Sequence, residues 1–155
     1  MKKLVGLAMV LGLVLLSGAA FAADTNTVTV TANVVGTCRF NSAASTLAFG
    51  GLDPSSGAPA NAGTSTTFWC TRNATYTITD DDGFNELVAN QNRMQHTTTA
   101  TEFIPYSFSY NPTTGPGQGR TSPITLNISG TVAFADYQDV AAGDYSDTVV
   151  LTINP

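Results

Sequence analysis

Asn26-Thr27-Val28-Thr29-Val30-Thr31-Ala32-Asn33-Val34 alternates apolar and polar residues without a break. A period of two puts Val28, Val30, Ala32 and Val34 on one face of an extended strand, with Thr and Asn on the other. Such a strand has one face to bury. The alternation alone leaves open whether it packs in its own domain or against another chain.

The residues before it read as an export leader. Lys2-Lys3 is followed by an uncharged apolar run from Leu4 to Leu16, then Ser17-Gly18 and the small-residue site Ala20-Phe21-Ala22. Cleavage is expected after Ala22. An uncleaved anchor is the alternative, because the stretch from Leu4 to Ala23 carries no charge and nearly spans a bilayer. A lipid anchor is disfavoured, since the first cysteine lies at position 38.

Cleavage leaves about 133 residues, enough for one domain with one core. Both lysines leave with the leader, so four arginines face eleven acidic residues, a formal net charge of −7. Nucleic acids and anionic lipids are recognised by clustered cations, so neither is an expected partner. In an exported chain the two cysteines, Cys38 and Cys70, are expected to form one disulfide. Two thiols and the lone His96 fall short of a zinc set, and their spacing is not that of a redox pair.

Downstream the chain reads as short strands broken by Gly and Pro. Ser45 to Gly51 carries Leu47 and Phe49 in alternation, and Leu52 to Thr64 reads as a loop. Thr66 to Thr71 and Ala74 to Thr79 are expected strands, with the disulfide pinning the sheets together around Trp69 or Phe68. Asp80-Asp81-Asp82-Gly83 lacks the spacing and closing Glu of a calcium loop and reads as a solvated turn.

Phe84 to Thr101 is expected to be a long loop anchored by Leu87 and Met94, with a helical turn near residues 86–89. In Glu102 to Tyr110 the side chains of Tyr106, Phe108 and Tyr110 point one way, and Pro105 belongs at a strand start or on an edge. Asn111 to Ser122 reads as a loop. Ile124 to Ile128, Gly130 to Phe134 and Asp147 to Ile153 complete an all-β sandwich with no helix-period segment outside the leader.

These pieces resemble the spore coat protein U-like domain family, the subunits of archaic chaperone–usher pili. The resemblance rests on Cys38-Arg39-Phe40, Leu47-Ala48-Phe49-Gly50 with Asp53-Pro54, Cys70, and Tyr76-Thr77-Ile78 running to Gly83. Arg93-Met94, Ile104 to Phe108, and above all Gly143-Asp144-Tyr145-Ser146-Asp147-Thr148-Val149 complete it. Gly143, Tyr145 and Asp147 are the family-motif positions. The ending Ile153-Asn154-Pro155 departs from the aromatic terminus common in the family.

The resemblance implies an incomplete immunoglobulin-like β-sandwich with an N-terminal donor strand. On that reading residues 1–22 are the signal peptide, 23–36 the donor segment and 37–155 the incomplete domain. A periplasmic chaperone would fill the groove transiently, and at the outer-membrane usher the Val28, Val30, Ala32 and Val34 face of the next subunit would replace it. Final-strand residues running almost to Pro155 leave no expected closing strand, and alternation suits strand addition. The implied role is a pilus subunit for surface attachment or biofilm formation, exported through the periplasm to the cell surface without membrane insertion after cleavage.

Catalysis is not expected. The chain lacks a Gly-x-Ser-x-Gly elbow and a metal set, and no carboxylate pair stands out by spacing, so no catalytic or cofactor residue is assigned. The alternatives are a single-domain carbohydrate-binding sandwich, using aromatics such as Tyr110 or Tyr137, or a coat protein.

Overall fold

Thr75–Thr79, Ser107–Asn111 and Ile124–Val132 are strands where β-branched or aromatic residues alternate with polar ones. The computed structural model describes residues 22–88 and 91–155, so the predicted leader lies outside the described residues but for Ala22. The elements are β1 (Cys38–Phe40), β2 (Ala60–Cys70), β3 (Thr75–Thr79), β4 (Arg93–His96) and β5 (Phe103–Pro105). β6 (Ser107–Asn111), β7 (Thr114–Pro116) and β8 (Ile124–Val132) precede a 3-10 turn at Phe134–Asp136, and β9 (Tyr145–Ser146) and β10 (Thr152–Asn154) close the series.

The chain divides into Met1–Asn33 and Val34–Pro155. In the first unit residues 22–33 form no strand and are exposed throughout.

The second unit is an immunoglobulin-like β-sandwich. One layer is the antiparallel sheet β1-β2-β8-β6, in which β2 and β8 pair from Ala60↔Val132 to Phe68↔Ile124. The other layer comprises β10-β3-β7 and β5-β4-β9. Because β9 and β10 lie on one extended run, residues 145–154, the two ladders share that run as their common edge. Phe68, Cys70, Tyr76, Ile78, Leu126 and Ile128 form the main core, with the Phe68 and Tyr76 rings edge-on at 4.9 Å. Ile104, Val132 and Tyr137 form a second cluster.

Several expectations are corrected. Ala60 to Thr64 is strand rather than loop, because nine residues of backbone pairing with β8 outweigh the weak propensity of Ala and Gly. Arg93–His96 is strand inside the expected long loop, and His96 is buried at 8% exposure. Leu87 is exposed at 61% and anchors nothing, whereas Met94 packs on the second cluster. Residues 86–88 are not helical, and position 89 lies outside the described residues. Thr114–Pro116 adds a short strand in the expected loop. Pro105 ends the edge strand β5, so Tyr106 marks the step between β5 and β6, which belong to different sheets.

The Cys38–Cys70 disulfide forms, but it joins register neighbours of one sheet rather than pinning two sheets together. Phe68 is the core aromatic. Trp69 faces outward, with the Arg120 guanidinium 5.7 Å from its ring centre. Closing a loop of sequence separation 32 stabilises by about 3–4 kcal/mol in the chain-entropy model. Reduced, alkylated protein should therefore unfold at lower urea with a free energy smaller by about that amount. Mass analysis of the unreduced protein should find no free thiol.

Candidate functional site: an open groove beside a strand edge

Two extended segments of the second unit carry the alternation of strands but form no ladder with each other. The first is 44–49, where Leu47 and Phe49 are half-buried between exposed neighbours. The second is 147–151, where Asp147, Val149 and Leu151 are half-buried and Thr148 and Val150 exposed. Between them lies a groove of about 1230 Å³, whose lining includes Met94, Ile104, Tyr106, Phe108, Ile128 and Tyr137. Its surroundings are therefore the apolar interior of the sandwich, with the Phe49 and Tyr106 rings 5.8 Å apart.

Gly130 lets the first segment lie close. A side chain there would come within 2.8 Å of the Ser107 carbonyl and 3.0 Å of the Leu47 and Phe49 side chains.

The backbone of the second segment has a definite polarity. The Asp144 carbonyl accepts from Thr97 N–H (2.8 Å) and the Thr148 carbonyl from Phe84 N–H (3.0 Å). Val150 N–H donates to Asp81 Oδ1 (2.8 Å), and Thr152 lies opposite Thr79. Even-numbered residues thus turn their amides and carbonyls toward β3 and β4. In an extended chain the odd-numbered ones face the other way, so Asp147, Val149, Leu151 and Ile153 present theirs along the groove. Among the described residues this sheet edge is free and backed by apolar side chains, the feature that strand addition uses.

Carboxylates hold that edge in place. Asp147 Oδ1 accepts from Phe84 N–H (3.1 Å), Asn85 N–H (3.3 Å) and the Asn85 side-chain amide (3.2 Å), while Oδ2 accepts from Tyr106 O–H (2.7 Å). Gly83, at φ +88°, leaves room for this carboxylate, since any Cβ there would collide with Asp147 Oδ2. Asp81 Oδ1 also accepts from Gly83 N–H (3.1 Å), and Asp80 accepts from Tyr110 O–H (3.0 Å). The acidic run is thus a set of clips between the 80–85 turn and its neighbours, not merely a solvated turn. Among the described residues no His, Cys, Asp and Glu group is arranged to hold a metal ion.

The other motif residues set the start of the same edge. Gly143 packs on His96 so closely that a Cβ would meet Nε2. His96 Nδ1 accepts from Thr98 N–H (3.1 Å) and Thr99 N–H (3.0 Å), which leaves Nε2 to donate to the Ala142 carbonyl (3.3 Å). Tyr145 stands edge-on to the imidazole at 4.8 Å and donates to the Ala141 carbonyl at 2.8 Å. Asn85 and Tyr106 support the site without having been expected to, because their partner Asp147 is 62 and 41 residues away in sequence. The acidic run was the one signal available.

Two tyrosines in this network hold their protons tightly. Burial, then the hydrogen bond to Asp147 and its charge, raises Tyr106, and burial with the bond to Asp80 pushes Tyr110 up to about 12. A phenol whose folded pKa exceeds its unfolded value of about 10 adds stability that is complete below pH 10. That stability is lost as pH rises toward about 12. Urea midpoints should fall across this window, less so in Tyr110→Phe, with tyrosinate absorbance reporting the delayed ionisation.

The predicted donor face is uncovered. Val28, Val30 and Val34 are 75%, 88% and 80% exposed, and Ala32 is exposed too. The second unit thus combines an apolar groove with a strand edge that is unpaired among the described residues.

The chain belongs to the Spore Coat Protein U domain family, whose model matches residues 24–152. Among solved structures it is similar to the CsuC–CsuE chaperone–tip adhesion subunit pre-assembly complex from archaic chaperone–usher Csu pili of Acinetobacter baumannii. That likeness has 18% identity over 77% of this chain and 40% of the other, with a TM-score of 0.48. A chaperone–tip adhesin complex of CFA/I fimbriae biogenesis is similar at 14% identity over 77% of this chain and 42% of the other, TM-score 0.50. The second likeness supports the fold alone. The chain spans less than half the length of either structure. No curated protein matches it.

Proposed function

We propose that the mature chain is a structural pilus subunit of the chaperone–usher type, polymerising by donor-strand complementation. The observation that carries this is the groove edge of Asp147, Val149, Leu151 and Ile153, with backbone groups turned outward and core side chains behind. Val28, Val30, Ala32 and Val34 repeat that spacing residue for residue, so one strand matches the edge in length and period. Residues 23–36 are the donor segment and 37–155 the acceptor domain. Its partners are identical or related subunits, a periplasmic chaperone and an outer-membrane usher, and its destination is the cell surface, in attachment or biofilm formation.

A structural role, without catalysis, suits a groove whose inner wall is Met94, Ile104, Phe108, Ile128 and Leu151 and whose other lining residues include Ser, Thr and Asp. The carbohydrate-binding alternative loses its stacking aromatics, because Tyr137 is 3% exposed and the Tyr110 hydroxyl is engaged by Asp80.

Exported protein run on a gel without boiling should give an SDS-resistant ladder that boiling collapses to monomer, and a synthetic 23–36 peptide in excess should cap growth. A single monomer band at all concentrations, with no peptide bound, would remove the proposal.

A further inference from the structure

The acceptor domain is electrically polar along its strands. At one end the Thr37 amide bonds to Thr71 Oγ1 (3.1 Å), Gly119 N–H bonds to the Cys70 carbonyl (2.9 Å), and Gly36 lies beside Pro155. Arg39, Arg72 and Arg120 lie at this end of the domain, two of them beside Trp69. Arg39 is its cross-strand partner, Arg120 lies over its ring, and Arg72 is on the turn after β2.

The opposite end, where Ala60 pairs with Val132, carries Asp136, Asp139 and Asp144 on the segment between β8 and β9. Asp139 and Asp144 are exposed and Asp136 partly so. From Ala60 to Phe68 alone the strands run roughly 27 Å, several Debye lengths at physiological salt. The poles of one molecule therefore hardly sense each other, but two molecules brought end to end would.

We infer that the arginine pole of one subunit docks on the Asp136, Asp139 and Asp144 pole of the next, and that this contact sets the direction in which the donor strand enters. The inference rests on the donor-strand reading above. The donor segment leaves its body at residues 34–37, inside the arginine pole. The groove edge runs from the acidic end at Tyr145 to the arginine end at Pro155. A strand entering antiparallel to that edge brings its own body against the neighbour's acidic pole. A parallel entry brings arginine pole against arginine pole. The antiparallel direction is thus attractive and the parallel one repulsive, and the difference acts on encounter, where charge steers most strongly.

The mature chain has no lysine, so Arg120→Lys introduces one side-chain amine whose neighbours carbodiimide coupling can report. In polymers of this variant the coupled peptide should contain Asp136, Asp139 or Asp144 of another copy. Coupling only within one chain, or to another copy's acidic residues elsewhere, would overturn the pole contact while ladders leave the donor-strand reading intact. Absence of ladders in the unaltered chain would remove both.

Independently, Arg72→Glu with Arg120→Glu should slow polymerisation about tenfold or more at low salt, and far less at about 0.5 M salt. Adding Asp139→Arg and Asp144→Arg should restore the low-salt rate, which also shows that the reversed pair folds. An unchanged rate in the first variant, or no recovery in the second, would refute the inference.

Discussion

Val30→Asp is expected to abolish SDS-resistant polymers while leaving the monomer's thermal unfolding unchanged, and Thr29→Asp is expected to leave both intact. Within its own chain Val30 is 88% exposed, so a carboxylate there meets only water. In a neighbour's groove the same carboxylate would lie among Leu, Ile, Val and aromatic side chains with no cation in reach. Desolvating an unpaired charge costs several kcal/mol, about 3–5 once local relaxation is allowed, and each 1.4 kcal/mol weakens association tenfold. The outward-facing Thr29 position escapes that cost because successive side chains point to opposite faces. A chaperone pull-down completes the test, since the body's groove is built from other residues and should still be bound. Full ladders from Val30→Asp would refute donation. So would loss of both the monomer fold and chaperone binding, which would make 26–34 a strand of its own domain.

Asp147→Ala should lower the unfolding free energy by about 3–4 kcal/mol, the largest loss expected from any single exposed-edge carboxylate. Its two oxygens accept from two backbone amides, a side-chain amide and the Tyr106 hydroxyl. Bonds to a charged acceptor contribute about 1.5–3 kcal/mol each, and several of these donors can turn to water when it goes. Tyr106 cannot do so easily, being packed against Phe49. Because Asp147 opens the groove edge, the variant should also bind a 23–36 peptide more weakly at temperatures where it is still folded. Asp147→Asn, which keeps the shape and one acceptor oxygen, should lose less on both measures. Equal stability of Asp147→Ala and the native chain in urea would show that the clip is incidental.

The strands that could be read from the sequence are those where propensity and pattern agree. Thr75–Thr79 and Ile124–Val132 alternate strictly and pack as their alternation requires. Arg93–His96 was unreadable because its polar residues are covered by partners outside the strand, half-buried Arg93 by the Phe103 ring and Asn85 carbonyl, buried His96 by Tyr145 and Ala142 some 46 residues on. The first half of β2 escaped notice for the opposite reason, since small residues carry little side-chain signal and the ladder with β8 does the ordering. Leu47, Phe49, Val149 and Leu151 announced two strands, but 44–51 and 147–151 join no ladder, and only Thr152–Asn154 of the expected final strand is paired. That neither pairs with the other is a property of topology, invisible to local pattern and supplied only by the family resemblance. Asp80 and Asp81 were visible as a cluster, but their hydrogen bonds to Tyr110 and Val150 span about 30 and 69 residues of chain.

The disulfide sits where traction would enter the domain. In a fibre joined through residues 26–34, pulling on one subunit tugs its body at Thr37, one residue before Cys38. β1 is three residues long and lies at the margin of its sheet, so alone it would peel off like a zip, one ladder bond at a time. Cys38–Cys70 passes the tension straight to β2, whose nine-residue register with β8 must slide as a whole. The same bond that stabilises the folded monomer therefore turns an unzipping geometry into a shearing one, and a reduced fibre should come apart at lower force than an oxidised one.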